Sequence, residues 1–223
     1  MRLLEVVPGP DSDPATVDAV AQFADVALGK SVVRCNDSPG FIANRLGIAW
    51  MATSMAEAVD AGLTVEENDA IIGKPMGIPN TGVFGLVDFV GVGIARESMT
   101  SMGNLLPKTD FYHVVNRDST LTILRKMVAE GYTGRQGPGG FYRLKRDGGA
   151  KIKEAIDLNT GEYRPEHTAD IPEAKNLATL LAADTKYGRF AARVLGATIS
   201  YAASIVPSAA PDIESIDEAM RLG

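Results

Sequence analysis

Apolar and polar positions alternate in two different rhythms along this chain. At the start, Leu3, Leu4, Val6 and Val7 surround Glu5 in a strand-like run that stops at Pro8-Gly9-Pro10. Asp13 then offers a helix N-cap with Pro14 at the first helical position, and Val17, Val20, Phe23, Ala24 and Ala27 recur at helical spacing up to Gly29. Residues 31–35 read as a second short strand. Residues 1–36 therefore predict a strand–helix–strand unit with too few strands to stand alone. A strand that opens a chain implies that the rest of its sheet lies elsewhere.

From Gly40 the rhythm becomes helical. Residues 41–61 carry only Arg45, Glu57 and Asp60 as charges around an apolar body with Trp50, Met51 and Met55, which predicts a helix buried on most sides. Thr64 and Glu67 form a capping box for the next short helix. A Gly/Pro loop spans 73–82; Thr81 is expected to cap a helix through Phe84, Leu86, Val87 and Val90, and Asp118 or Ser119 one through Leu121, Leu124 and Val128. After the glycine-rich stretch 131–140, Phe141-Tyr142-Arg143-Leu144 reads as a strand. Gly148-Gly149 and Asn159-Thr160-Gly161 bracket a further alternation, so 141–164 predicts a hairpin. Helices are expected again at about 172–183, 186–206 and 212–222.

Order and spacing also suggest an internal repeat. Phe41-Ile42-Ala43-Asn44-Arg45-Leu46-Gly47 has a degenerate echo in Phe190-Ala191-Ala192-Arg193-Val194-Leu195-Gly196, each heading a long apolar helix followed by a short acidic one. The second copy stops at Gly223, where the first continues into Pro75-Met76-Gly77, so the expectation is a chain cut inside a repeat.

Composition narrows the function classes. Lys and Arg total 22 against 28 Asp and Glu, a net charge of −6 with no basic block, which argues against a nucleic-acid-binding surface. A single cysteine allows no internal disulfide and no four-cysteine zinc site, and no His/Asp/Glu group has metal-ligand spacing, so no metal is expected. Glu5 breaks any signal-peptide pattern. The longest uncharged stretch, 194–211, is too polar for a membrane span, and the chain reads as soluble and cytoplasmic. From local sequence alone, Glu5 is a solvated carboxylate on an exposed strand and Cys35 a small apolar residue at a strand end. Residues 131–140 lack the preceding strand and the Gly-Lys-Ser/Thr ending of a phosphate loop.

Four segments in order carry a resemblance. Leu3-Leu4-Glu5-Val6-Val7, Asp37-Ser38-Pro39-Gly40-Phe41-Ile42-Ala43-Asn44-Arg45-Leu46, Pro75-Met76-Gly77 with Phe84-Gly85-Leu86-Val87-Asp88, and Gly134-Arg135 with Gly139-Gly140-Phe141-Tyr142 resemble the 3-hydroxyacyl-CoA dehydrogenase family. The tail after Tyr187 resembles the start of a second helical unit, as in multifunctional fatty-acid β-oxidation proteins. The resemblance implies a mainly α fold, a helical dehydrogenase C-terminal domain (6-phosphogluconate-dehydrogenase C-terminal-like), with an N-terminal strand–helix–strand remnant and a small β-hairpin. The implied domains are 1–36, the end of an NAD-binding domain; 37–145, a first helical unit; 146–185, hairpin and connecting segment; and 186–223, the start of a truncated second unit.

The implied activity is NAD-dependent oxidation of 3-hydroxyacyl-CoA to 3-oxoacyl-CoA in β-oxidation, with acyl-CoA as substrate. NAD would be held mainly by a nucleotide-binding domain absent here, and the chain would be a homodimer or pack against its own missing domains. Glu5 matches the family's glutamate that orients a catalytic histidine, and Asn44 its substrate-side asparagine, whose amide would bond the reacting thioester. Pro39 and Gly40 form a rigid corner whose free N–H groups would face substrate. Arg45 reads as a helix-face ion pair and Asp88 as structural. His113 and His167 lie where the family places no functional histidine, and the family's histidine position precedes residue 1, so the chain is expected to be inactive alone. Two alternatives differ in class: a non-catalytic helical dimerisation or packing module, and part of a related β-hydroxyacid dehydrogenase with a non-CoA substrate.

Overall fold

The computed structural model describes residues 2–78, 81–147 and 150–223. Strands β1 (Leu3–Val6) and β2 (Ser31–Arg34) pair in parallel, Glu5 opposite Val33, with α1 (Pro14–Val26) as the crossover. Asp13 caps α1, its carboxylate accepting from Thr16 N at 3.0 Å. The helix buries only Ala24. Val20 and Phe23, expected on its apolar face, are 51% and 60% exposed, and Val26 near them is 77% exposed, so nothing in the described chain covers that face.

Helix α2 (Ala43–Asp60) runs through the centre, buried on most sides as its composition predicts. Burial of charge demands partners, and each of its three charges has them: Arg45 pairs with Asp110, Glu57 with Arg117 and Arg193, and Asp60 with Arg117. Helix α3 (Val65–Ile72) opens on the Thr64–Glu67 capping box. A 3-10 turn, Lys74–Met76, leads towards α4 (Gly82–Val90), α5 (Val92–Leu105), α6 (Tyr112–Val115) and α7 (Asp118–Ala129).

Two expected caps are not made. Thr81 is already αR and its side chain caps nothing; Asp69 on α3 caps α4 from across the fold, accepting from Phe84 N at 2.8 Å and Gly85 N at 2.9 Å. The residue before α7 is Arg117, with no side-chain cap, and Asp118 is the first helical residue, where its charge favours the helix dipole. Helix α5 is an element the sequence analysis does not include: Val92, Ala95, Met99 and Met102 are its buried face, thinned by Gly93 and Gly103.

Beyond α7, the expected hairpin is a three-stranded antiparallel meander, β3 (Tyr142–Asp147), β4 (Ala150–Ile156) and β5 (Tyr163–Pro165). The third strand is short because only Tyr163, Arg164 and Pro165 pair with β4. The Gly148-Gly149 turn lies outside the described residues. Helices α8 (Leu177–Ala182), α9 (Lys186–Ser204) and α10 (Ile213–Leu222) complete the chain; α8 starts later than expected because Asn176 caps it.

Helices α2 and α9, the heads of the sequence repeat, pack on each other. The echo fails at its start: Phe41 precedes α2 with φ +51°, whereas Phe190 lies inside α9. Among the described residues, two apolar clusters form the core. One joins the later turns of α2 to α3, α4, α5, α7, the meander and the first half of α9. The other joins β1, β2 and the start of α2 to Met102, Tyr112, the end of α9 and α10.

Candidate functional site

The predicted site residues converge on the start of α2, through a cap. Glu5 is half-buried on β1, and its Oε1 accepts from Ile42 N at 2.9 Å and Ala43 N at 3.0 Å. The first turn of α2 has no cap of its own, since Ile42 at the N-cap is αR and makes no side-chain bond. A carboxylate on a neighbouring strand therefore supplies the acceptor that a helix N-terminus needs. Glu5 is not the solvated surface acid of its local sequence. Its Oε2 has no partner among the described residues, and neither His113, near Leu106 O, nor His167, beside Arg164 and Glu66, reaches it.

Pro39 and Gly40 form the close corner that was expected. Gly40 has φ +76°, and a Cβ there would sit 2.5 Å from Met102 Cε and 3.0 Å from Arg45 N. The corner's expected free N–H groups are not free at Ile42 and Ala43, because Glu5 takes both. Asn44 follows directly; it is exposed, and its side-chain amide bonds no described residue. Arg45, by contrast, is 4% exposed. Its Nε donates to Tyr201 OH at 2.9 Å, its Nη1 to Ser208 Oγ at 3.4 Å, and its Nη2 pairs with Asp110. Cys35 is buried at the end of β2, its thiol pushed up to about 11 by burial and then by the nearby Glu5 charge.

The profile of the 3-hydroxyacyl-CoA dehydrogenase C-terminal domain matches residues 40–144, the stretch from the Gly40 corner into β3. The chain belongs to the 3-hydroxyacyl-CoA dehydrogenase family. Along all of its 223 residues it is 35% identical to a Rickettsia prowazekii protein described as a fatty acid oxidation complex trifunctional enzyme, and spans 31% of that protein's length. Over 65% of the chain it is 30% identical to human mitochondrial hydroxyacyl-coenzyme A dehydrogenase, covering 44% of it. The crystal structure of Escherichia coli 3-hydroxybutyryl-CoA dehydrogenase superposes on the whole chain with a TM-score of 0.67 at 19% identity, over 58% of that chain, which shows a shared fold.

A dinucleotide needs a helix N-terminus open to its phosphates. In this family member, α1 follows β1 at the parallel strand pair, and the Asp13 carboxylate already fills the N-terminus of α1. The phosphates of NAD do not fit that turn. The described residues hold no group of three or more His, Cys, Asp or Glu able to bind a metal. No described helix is long and apolar enough to cross a membrane.

A separate cleft of about 500 Å³, lined by Glu66, Asp69, Arg135, Tyr142, Glu166 and His167 among others, lies apart from Glu5 and Asn44. Its floor is structural. Asp88, 2% exposed, accepts from Phe141 N at 2.7 Å and Tyr142 N at 2.8 Å, and a Cβ on Gly140 would meet its Oδ1 at 1.9 Å. Asp69 also accepts from Tyr142 OH at 3.0 Å. Burial outweighs these donors and raises Asp69 to about 7 and Asp88 to about 6. Asp88 is thus structural, as expected. Asp69 is missed by the sequence analysis, and its signal there is faint: one acid beside Asn68 on a short capped helix.

Proposed function

We propose that this chain supplies the acyl-CoA side of an NAD-dependent 3-hydroxyacyl-CoA dehydrogenase that oxidises 3-hydroxyacyl-CoA to 3-oxoacyl-CoA. The observation that carries this reading is the bond pair from Glu5 Oε1 to the first amides of α2, beside Asn44. It ties the strand that bears the orienting carboxylate to the helix start that bears the substrate-side amide. Oxidation at carbon 3 removes the hydroxyl proton as the hydride leaves, and a base does that best beside an anion that stabilises its protonated form. Oε2 of Glu5 is free to accept from such an imidazole while Oε1 holds α2. The Asn44 amide, exposed and without a partner among the described residues, is free to bond a thioester carbonyl.

In this reading residues 1–36 end a nucleotide-binding domain, 37–145 form the first helical unit, 146–185 connect, and 186–223 begin a second. The uncovered face of α1 supports a further domain packed there, bringing both the histidine and NAD. The protein would act in the cytoplasm, and a dimer is part of the same reading.

The test is NADH oxidation with acetoacetyl-CoA, by the chain alone and by the chain joined behind a family nucleotide-binding domain. The joined protein turns over, the chain alone does not, and Asn44→Ala in the joined protein lowers kcat by about tenfold or more. A joined protein that folds and binds NADH yet gives no turnover contradicts the reading.

A further inference from the structure

The helix start that holds Glu5 is itself held from far along the chain. Gly40 and Phe41 lie in succession at φ +76° and +51°, and for Phe41 that conformation is strained. Such backbone persists where its surroundings over-determine it. Besides Met102 on α5 and Glu5 on β1, those surroundings come from the end of α9 and the segment after it. On the strand side of the turn, Asn36 N donates to Ala209 O at 2.8 Å and Asn36 Nδ2 to Pro207 O at 2.7 Å. On the helix side, Arg45 is bonded by Tyr201 OH and Ser208 Oγ and lies 5.7 Å from the Tyr201 ring centroid. Ser208 is in turn fixed by donating to Ile205 O at 2.9 Å. Tyr201, Ile205, Ala209 and Ala210 are buried in the same apolar cluster as Ile42 and Leu46.

We propose that Asn36, Arg45, Tyr201 and Ser208 are positioning residues: through them the second repeat clamps both ends of the β2–α2 turn and so sets the geometry of Glu5 and Asn44. A buried guanidinium is tolerated only when all its partners are docked, so the turn is correctly placed only when α9 and the loop carrying Asp110 are in place. The clamp rests on the catalytic reading of Glu5 and Asn44 for its purpose, and on the bonds above for its existence.

Amide hydrogen exchange on the chain itself separates the two. Tyr201→Phe removes one hydroxyl and keeps the ring, and Asn36→Ala alters an exposed side chain, so both leave the apolar core intact. Each is expected to speed exchange at Ile42 and Ala43 by about tenfold relative to the amides of 55–58 in the same helix. An unchanged ratio in both variants overturns the clamp. In the joined protein, Tyr201→Phe is expected to move the basic limb of kcat/KM for acetoacetyl-CoA reduction to lower pH, because a displaced Glu5 raises the imidazole's proton affinity less and the proton donor is lost sooner. Lost turnover with an unmoved limb would mark Tyr201 as merely structural and overturn the positioning role. If the unmodified joined protein is silent, the dehydrogenase reading fails, while the exchange ratio still decides the clamp.

Discussion

Asp69 and Asp88 show how much of this fold hangs on single buried side chains. Each carboxylate ties two backbone amides of a distant segment, Asp69 at the start of α4 and Asp88 at the entry to β3. Burial leaves them at about 7 and 6 in the folded protein, against 3.8 as the ordinary value. A carboxyl raised on folding binds its proton more tightly in the native state, so its contribution is complete below about pH 4 and is lost as pH rises through 6 and 7. Urea unfolding should therefore show stability falling by about 2–4 kcal/mol between pH 5 and 8, with Asp69→Asn flattening the slope. A stability that rises over that window would contradict the assignment. Asp88 is legible as structural only through the resemblance, in a run similar to packing and capping residues that join helices. Sequence reading misses Asp69, and the buried role of Arg45, because nothing local marks a partner 15 or 156 residues away.

At the scale of elements, the sequence is most legible where a local signal and the tertiary structure agree. The Asp13 cap and the Thr64–Glu67 box need only neighbours, and both form. Thr81 and Asp118 carry equally good local signals, but a remote carboxylate and a helix start one residue earlier override them. Helix α5 escapes notice because glycines interrupt its apolar face, and β5 because three residues are too few for an alternation. The corner at Gly40 is legible as Pro-Gly, yet its severity is tertiary, set by Met102 on α5. Gly40→Ala combines an unfavourable φ with that overlap and should cost about 2–4 kcal/mol, read from thermal or urea unfolding. A cost near zero would show that the corner relaxes freely.

Across the whole molecule, the two apolar clusters bind the strand–helix–strand unit to the end of the chain, through α10 and the end of α9 against β1 and β2. The echo in the sequence likens the heads of α2 and α9 but does not foretell that the two helices pack together, since pairing of distant helices leaves no mark in either one. The proposed site takes its residues, Glu5, Pro39, Gly40 and Asn44, from the sequence, but not its geometry: that Glu5 caps α2 follows from strand and helix meeting in space. This cap also allows the charge of Glu5 to be tested apart from its structural bond. In Glu5→Gln the amide oxygen still accepts from Ile42 and Ala43, so the helix start is kept while the anion is lost. The decisive measurement is kcat of Glu5→Gln for acetoacetyl-CoA in the chain joined to a nucleotide-binding domain. The account predicts a loss of about a hundredfold or more with exchange at Ile42 and Ala43 unchanged; a kcat within about twofold of the unmodified protein would contradict it.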